Sequence, residues 1–268
     1  MERNPMKFDG SIAKSYDHHL GAFLFEPYAT DLVGRIGVTG VSNILELACG
    51  TGIVTRHLID RLFLTVELTA TDINEEMLAI AQGKILAPNI SWDAIDMSAI
   101  PYDDDLFDVV VCQFGLMFVP DKIKAVKEMH RVLKKGGKLL FNVWGNIADN
   151  PIWRIYSTVI KDFFPNAAQL TGPGPFSMSD EKKVLALLNE AGFTDHTVDA
   201  VQKTGVCETA AGAAEGFVLG TPLYHFIIKT DPLLLEKFQN TLEKAIISEL
   251  GDLPARSPLH AWVFSAKK

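Results

Sequence analysis

Residues 44–55 read Ile-Leu-Glu-Leu-Ala-Cys-Gly-Thr-Gly-Ile-Val-Thr, an apolar run that ends in a turn of small residues and restarts with a helical pattern. This punctuation commits the chain to a strand, a tight turn and a helix in immediate succession. Glycine at such a turn lets the backbone approach a ligand where a side chain would block it. A second apolar run, 65–71, ends at Asp72, about twenty positions after Gly52. A carboxylate at that spacing accepts the two hydroxyls of a ribose. The two features together point to an adenine nucleoside held at the ends of neighbouring strands.

A dinucleotide fits these residues poorly. Its fingerprint needs three glycines, with the pyrophosphate over the helix N-terminus. Here Thr55 stands where the third glycine belongs, and Glu46 places a negative charge in the turn region. That charge repels a pyrophosphate and attracts a cation such as S-adenosylmethionine (SAM), which carries an ammonium and a sulfonium. The electrostatics favour SAM, and an NAD(P)-dependent oxidoreductase remains the alternative.

Further motifs follow in order. Glu46-Leu47-Ala48-Cys49-Gly50-Thr51-Gly52 resembles the first motif of the class I SAM-dependent methyltransferases, with Ala48 where that family often has its first glycine. Residues 71–78 (Thr-Asp-Ile-Asn-Glu-Glu-Met-Leu) resemble the second motif. Residues 93–112 resemble the third motif and fourth strand, and 130–141 the turn into the fifth. The set spans roughly residues 40 to 145 and is most similar to the small-molecule group that includes ubiquinone/menaquinone-biosynthesis-type enzymes.

The resemblance implies SAM as methyl donor and S-adenosylhomocysteine as product. It implies that the Gly50 and Gly52 backbone approaches the methionine part and that Glu46 acts on the ammonium through a water. Ile73 lies against the adenine or ribose; Met77 joins it there or belongs to the core. Asp96 with Met97 resembles the adenine-binding pair, the carboxylate taking the amino group and the Met97 N–H a ring nitrogen. Asp93 competes for the same role. Gln113 and Phe114, just past strand four, face the cofactor near its methyl group. Tyr16, His18 and His19 lie in an N-terminal segment that folds over SAM in similar enzymes, where Tyr16 bonds the SAM carboxylate. His18, His19 and His225, and after them His260, are the candidates for a general base, each weighed against a structural or surface role. A SAM-binding protein without transferase activity is the third reading.

The alternation of periods gives the architecture. Strands are expected near 43–47, 65–71, 90–94, 107–112 and 138–144, with helices near 53–62, 75–84 (capped by Asn74) and 121–133. This β-α order predicts a doubly wound parallel sheet with its ligand at the carboxyl ends of the strands. Helices are expected over 11–37 (with Pro27 breaking or beginning a helix there), 151–165, 179–191 (capped by Ser179, with Gly192 after its end), 208–219 and 232–250. The last strands fall near 194–204 and 260–266. With the family's pattern the fold is an α/β, Rossmann-like, mostly parallel seven-stranded sheet whose last strand is antiparallel, with a helical lid. The segments are 1–40 lid, 41–145 cofactor core, 146–178 helical insertion, 179–206 core helix and strand six, 207–258 helical insertion and 259–268 final strand.

Composition narrows the partners. A net charge of −8 over 268 residues argues against a nucleic-acid substrate, which needs clustered Lys and Arg. No apolar run is long enough to span a bilayer, and the first residues carry no signal-peptide pattern. The three cysteines show no paired spacing, which suits a reduced, cytoplasmic protein. The run Asp103-Asp104-Asp105 reads as a solvated turn, and no metal-ligand spacing is present. The aromatics of the helical segments, among them Trp153, Tyr156, Phe164, Phe217 and Tyr224, either line an apolar acceptor pocket or pack the helices together. The expected acceptor is a small, partly apolar molecule methylated at O, C or N, and the expected assembly is a monomer or homodimer.

Overall fold

A computed structural model describes residues 10–37, 39–62, 64–167, 170 and 174–268. The strands are β1 (Asn43–Leu47), β2 (Glu67–Asp72), β3 (Ile90–Ala94), β4 (Phe107–Gln113), β5 (Leu133–Trp144), β6 (Asp195–Cys207) and β7 (Ala255–Lys267). They form one sheet in the order β3-β2-β1-β4-β5-β7-β6. β1 pairs in parallel with both β2 and β4, β2 with β3, and β4 with β5, whereas β7 runs antiparallel to β5. The order reverses between β1 and β4, which makes their carboxyl ends the switch point of a doubly wound sheet. The expected sheet is the one observed.

β1, β4 and the second half of β5 are nearly continuously apolar and buried, as strands covered on both faces are, whereas β6 at the sheet edge is polar and largely exposed. In register, Leu68, Ile44 and Val109 lie side by side on β2, β1 and β4. They share a cluster with Ala29, Leu32 and Val33 of α2 (Glu26–Gly34) and Val54 and Leu58 of α3 (Ile53–Arg61). On β5 and β7, Phe141 opposes Phe264 with ring centroids 4.9 Å apart. Asp108 is the charged exception inside β4. Its Oδ2 accepts the N–H groups of Ser42 and Asn43 at 2.9 Å and its Oδ1 accepts Lys134 Nζ at 2.7 Å. Burial works against ionisation there, but these donors hold the carboxyl below the ordinary range.

The helices after β2 and β4 are α4 (Glu75–Lys84) and α5 (Lys122–Val132). Asn74 caps α4 as expected, its Oδ1 accepting the Glu76 and Met77 N–H groups at 3.0 and 3.1 Å. The cap of α7 (Glu181–Glu190) is a correction: Asp180, not Ser179, accepts the Lys182 and Lys183 N–H groups. The Ser179 carbonyl instead takes the Trp262 indole N–H at 3.0 Å. Gly192 adopts φ +102° after this helix, the left-handed exit that glycine permits.

The N-terminal helix differs from its expected form. It runs as α1 (Gly10–Ser15), a π-helix (Tyr16–Phe25) and α2 without a gap. Pro27 lies in the first turn of α2 within this continuous helix; the helix does not break there, although proline has no N–H to donate back to the π-helix. The expected Gly172–Pro175 loop falls partly outside the described residues.

The chain divides into two compact units. One comprises the sheet core, Tyr28–Asn146, Pro175–Val201 and His260–Lys268; the other comprises the chain up to Pro27, Ile147–Gly174 and Gln202–Leu259. The second unit is mainly helical: α1 and the π-helix, α6 (Pro151–Phe163), α8 (Ala210–Leu219), α9 (Leu223–Thr230) and α10 (Leu234–Leu250). Of these, α9 was not foreseen; it falls between the two expected helices. Within this unit Trp153 and Tyr156 pack on Phe217 at 5.0 and 4.7 Å. The Tyr156 hydroxyl lies 3.1 Å from Thr221 Oγ1.

Two glycines let the π-helix lie directly on α8. A Cβ on Gly216 would stand 2.6 Å from His19 Cβ, and one on Gly220 would stand 2.9 Å from the Tyr16 backbone. Gly216→Val is therefore expected to destabilise the fold by about 1–3 kcal/mol, the usual cost of overpacking. Thermal unfolding checks this. A melting temperature equal to the parent's contradicts the close packing.

Candidate functional site

Three left-handed residues, Ala48 (φ +54°), Gly50 (φ +56°) and Gly52 (φ +87°), turn the chain from β1 into α3. The two glycines do different jobs. A Cβ on Gly50 would meet nothing within 4 Å, so this position faces open space that a ligand can fill. A Cβ on Gly52 would meet Ile85 Cδ1 at 2.8 Å and Ala81 Cβ at 3.0 Å, so this glycine serves close packing against α4 and the residue that follows it. In a dinucleotide fold the third glycine has that packing role.

The two departures from the dinucleotide pattern are partners. Thr55 Oγ1 donates to Glu46 Oε2 at 2.7 Å, with both residues buried. Thr71 Oγ1 donates to the Glu46 carbonyl at 2.8 Å. Burial pushes the Glu46 carboxyl up to about 8, with the Thr55 bonds pulling it down and the nearby Asp72 charge adding to the rise. A phosphate over the turn would disfavour the ionised form of this buried acid, whereas a cationic group would favour it.

Asp72 ends β2 and ties two turns together. Its Oδ2 accepts the Gly50 N–H and its Oδ1 accepts the Asn74 N–H, both at 2.8 Å. Burial raises its pKa, while the N–H groups of Asn74, Gly50 and Ile73 pull the other way. Beside it Ile73 is 65% exposed, whereas Met77 is buried on α4. Past β3, Asp96 Oδ1 accepts the Ser98 N–H and hydroxyl at 2.8 and 2.7 Å. Asp93 lies within β3 and takes the Tyr102 hydroxyl at 2.6 Å. Only Asp96 of the two stands beyond the strand end, on the edge where β1 and β2 also finish.

At the end of β4, Phe114 is left-handed (φ +51°). Its N–H is gripped twice by Asn142 of β5, by the carbonyl at 3.2 Å and by Oδ1 at 3.0 Å. Its ring stacks on Trp144 at 4.1 Å and meets Tyr28 edge-on at 5.3 Å. Gln113 Oε1 accepts Asn142 Nδ2 at 3.5 Å. The parallel strands thus bring Glu46, Ala48, Gly50, Gly52, Asp72, Ile73, Asp96, Met97, Gln113 and Phe114 to one edge of the sheet, with Met77 behind it. Asn142 and the Thr55 bond were not singled out from the sequence. The polar Asn142 inside the apolar run 139–144 was the signal available for the first.

The remaining candidates belong to the helical unit or to packing. Tyr16 stacks on Phe25 at 5.2 Å in the π-helix. His19 Nε2 lies 3.8 Å from Glu215 Oε1; burial lowers the His19 pKa, Glu215 raises it and His18 lowers it. His18 and His225 are exposed. His260 is buried in the sheet core, its ring filling the space where Gly145 lacks a side chain and packing on Trp262 at 4.9 Å. Burial pushes the Cys112 thiol up to about 12 and the Cys49 thiol well above its ordinary value. Asp104 and Asp105 pair with Arg131 Nη1 at 2.7 Å and Lys268 Nζ at 2.8 Å. Among the described residues no His/Cys/Asp/Glu group could hold a metal, and no helix is long and apolar enough to cross a membrane.

The residues present fit SAM. Space opens beside Gly50, and Thr51 Oγ1 is buried with no hydrogen-bond partner among the described residues. An acid lies under the turn, and a carboxylate ends the next strand.

The family described as a methyltransferase domain matches residues 45–141. A ubiquinone/menaquinone biosynthesis C-methyltransferase of Ectopseudomonas mendocina is 31% identical over 200 residues, covering 68% of this chain and 78% of the relative. Its counterpart in Proteus mirabilis is 29% identical over 224 residues, covering 77% and 87%. Among solved structures, a phosphoethanolamine N-methyltransferase of Haemonchus contortus, crystallised with phosphomonomethylethanolamine and S-adenosylhomocysteine, is alike in fold. Its TM-score is 0.63 at 16% identity, covering 97% of this chain and 58% of that one.

Proposed function

We propose, since this chain belongs to the class I SAM-dependent methyltransferases, that it methylates a small, partly apolar molecule. SAM, its cofactor, supplies a methyl group already activated on a sulfonium. The protein's part is then to hold, align and exclude water. We assign Asp72 to the ribose hydroxyls, Asp96 and the Met97 N–H to the adenine, and Ile73 to its apolar face. Glu46 serves the ammonium, Gly50 the backbone approach, Tyr16 the carboxylate, and Gln113 and Phe114 the methyl end.

The observation that carries the cofactor assignment is the buried Thr55–Glu46 bond, which puts an acid where a dinucleotide needs room for phosphate. With the family shown, the oxidoreductase and non-catalytic readings fall. Calorimetric titration is expected to show one SAM and one S-adenosylhomocysteine site per chain and none for NADH. Absence of SAM binding at millimolar cofactor contradicts the assignment.

Two observations support the acceptor class. The net charge of −8 disfavours polyanions. The relatives' names make a ring carbon of a quinone precursor the first acceptor to try. Methylation at carbon or oxygen releases a proton, and His19, which burial keeps in the neutral form, is the first histidine to test as its acceptor.

A further inference from the structure

We propose that Gly115 and Asn142 are positioning residues of the cofactor site, which lock the turns after β1 and β4 into one interlocked arrangement. The proposal rests on the reading of that site given above. Ala48 and Phe114 are two of the non-glycine residues in the left-handed region, and they end adjacent strands of the switch point. A side chain in this region is strained and persists only where its surroundings fix it. For Phe114 the fixing group is Asn142, fully buried, whose carbonyl and side-chain oxygen both accept the Phe114 N–H. The stacking of Phe114 on Trp144 adds a second hold.

For Ala48 the fixing group is Gly115. A Cβ on Gly115 would overlap Ala48 Cβ, and would lie 3.0 Å from Cys112 Sγ and 3.5 Å from Met97 Cε. The Ala48 methyl therefore occupies the place that a side chain at 115 would take. The turns after β1, β3 and β4 meet at this single point. They carry the residues assigned to the methionine part, the adenine and the methyl end. Alanine at 48, where the family often has glycine, and glycine at 115 are complementary halves of one contact. A methyl added at 115 displaces the Ala48 turn and the Met97 side chain together, so one small change disturbs several cofactor subsites.

The test is the SAM dissociation constant of the full chain by calorimetry, with melting temperatures measured in parallel. The parent binds SAM. Gly115→Ala weakens binding about tenfold or more, the scale expected from displacing strained, ligand-facing backbone. Ala48→Gly added to Gly115→Ala removes the overlapping carbon, relaxes the left-handed position and restores affinity to within about threefold of the parent. Asn142→Leu, of similar size without the acceptor, weakens binding about tenfold while the melting temperature shows a folded protein. A role in folding alone lowers the melting temperature without this pattern of rescue in affinity. Parent-like affinity in Gly115→Ala, or no recovery in the double variant, overturns the proposal even if Gly115→Ala folds poorly. Absence of SAM binding by the parent overturns the reading of the site itself, which is a distinguishable result.

Discussion

Asp72→Ala is expected to weaken SAM binding by about a hundredfold or more. The carboxylate is assigned two ribose hydroxyls, and each hydrogen bond to a charged group contributes about 1.5–3 kcal/mol. Loss of both gives about 3–6 kcal/mol, and each 1.4 kcal/mol is roughly tenfold. The same oxygens accept the N–H groups of Gly50 and Asn74 at 2.8 Å, so the variant also frees the turns after β1 and β2. Asp72→Asn keeps one acceptor oxygen and should lose less. Calorimetry with SAM and S-adenosylhomocysteine checks both variants. Affinity within threefold of the parent in Asp72→Ala would show that the ribose is held elsewhere.

Glu46→Gln should remove most of a pH dependence of stability. The folded protein holds the Glu46 proton up to about pH 8, whereas the unfolded chain releases it near the ordinary value of 4.5. Between these values the folded state binds more protons, so parent stability falls as pH rises through this window. A neutral glutamine keeps the shape and the oxygen for Thr55 and removes that slope. Above pH 8 the variant should be the more stable by at most about 5 kcal/mol, from about 1.4 kcal/mol per pKa unit. Asp72, also raised by burial, adds a slope of the same sign that both proteins share. Urea unfolding from pH 5 to 9 measures the difference. Parallel curves for parent and variant would mean that Glu46 is ionised throughout. The cationic end of SAM favours the ionised form, so SAM binding near neutral pH should release a proton from the parent and not from the variant. Titration in buffers of differing ionisation enthalpy detects it.

Much of the sheet was legible because its signals are local. The apolar run of β4, the glycines after β1 and Asn74 before α4 each fix their own few residues. The edge of the sheet then follows from β-α alternation, which brings Glu46, Asp72, Asp96 and Gln113 together without any knowledge of side chains. What stayed hidden depends on partners far along the chain. Glu46 and Thr55 were both noted as departures, but their bond depends on how the first turn of α3 faces β1. Gly52 looked like a ligand-facing glycine, and only the approach of α4 gives it a packing role. Gly115 carries no local pattern at all, and Asn142 shows only as a polar residue inside an apolar run. Asp180 took the capping role from Ser179 because the two adjoin and both suit a cap, so packing decided. The π-helix has no sequence period that separates it from an α-helix, and α9 is too short for its period to stand out.

Transfer of a labelled methyl group is the most direct test of a methyltransferase with a small, partly apolar acceptor. The chain is incubated with methyl-labelled SAM and a whole-cell extract containing its metabolites, proteins and nucleic acids, with Asp72→Ala as background. Label recovered above that background in protein-free, solvent-extractable small molecules is the expected result. Label confined to protein or nucleic acid, or no transfer above background, would contradict it.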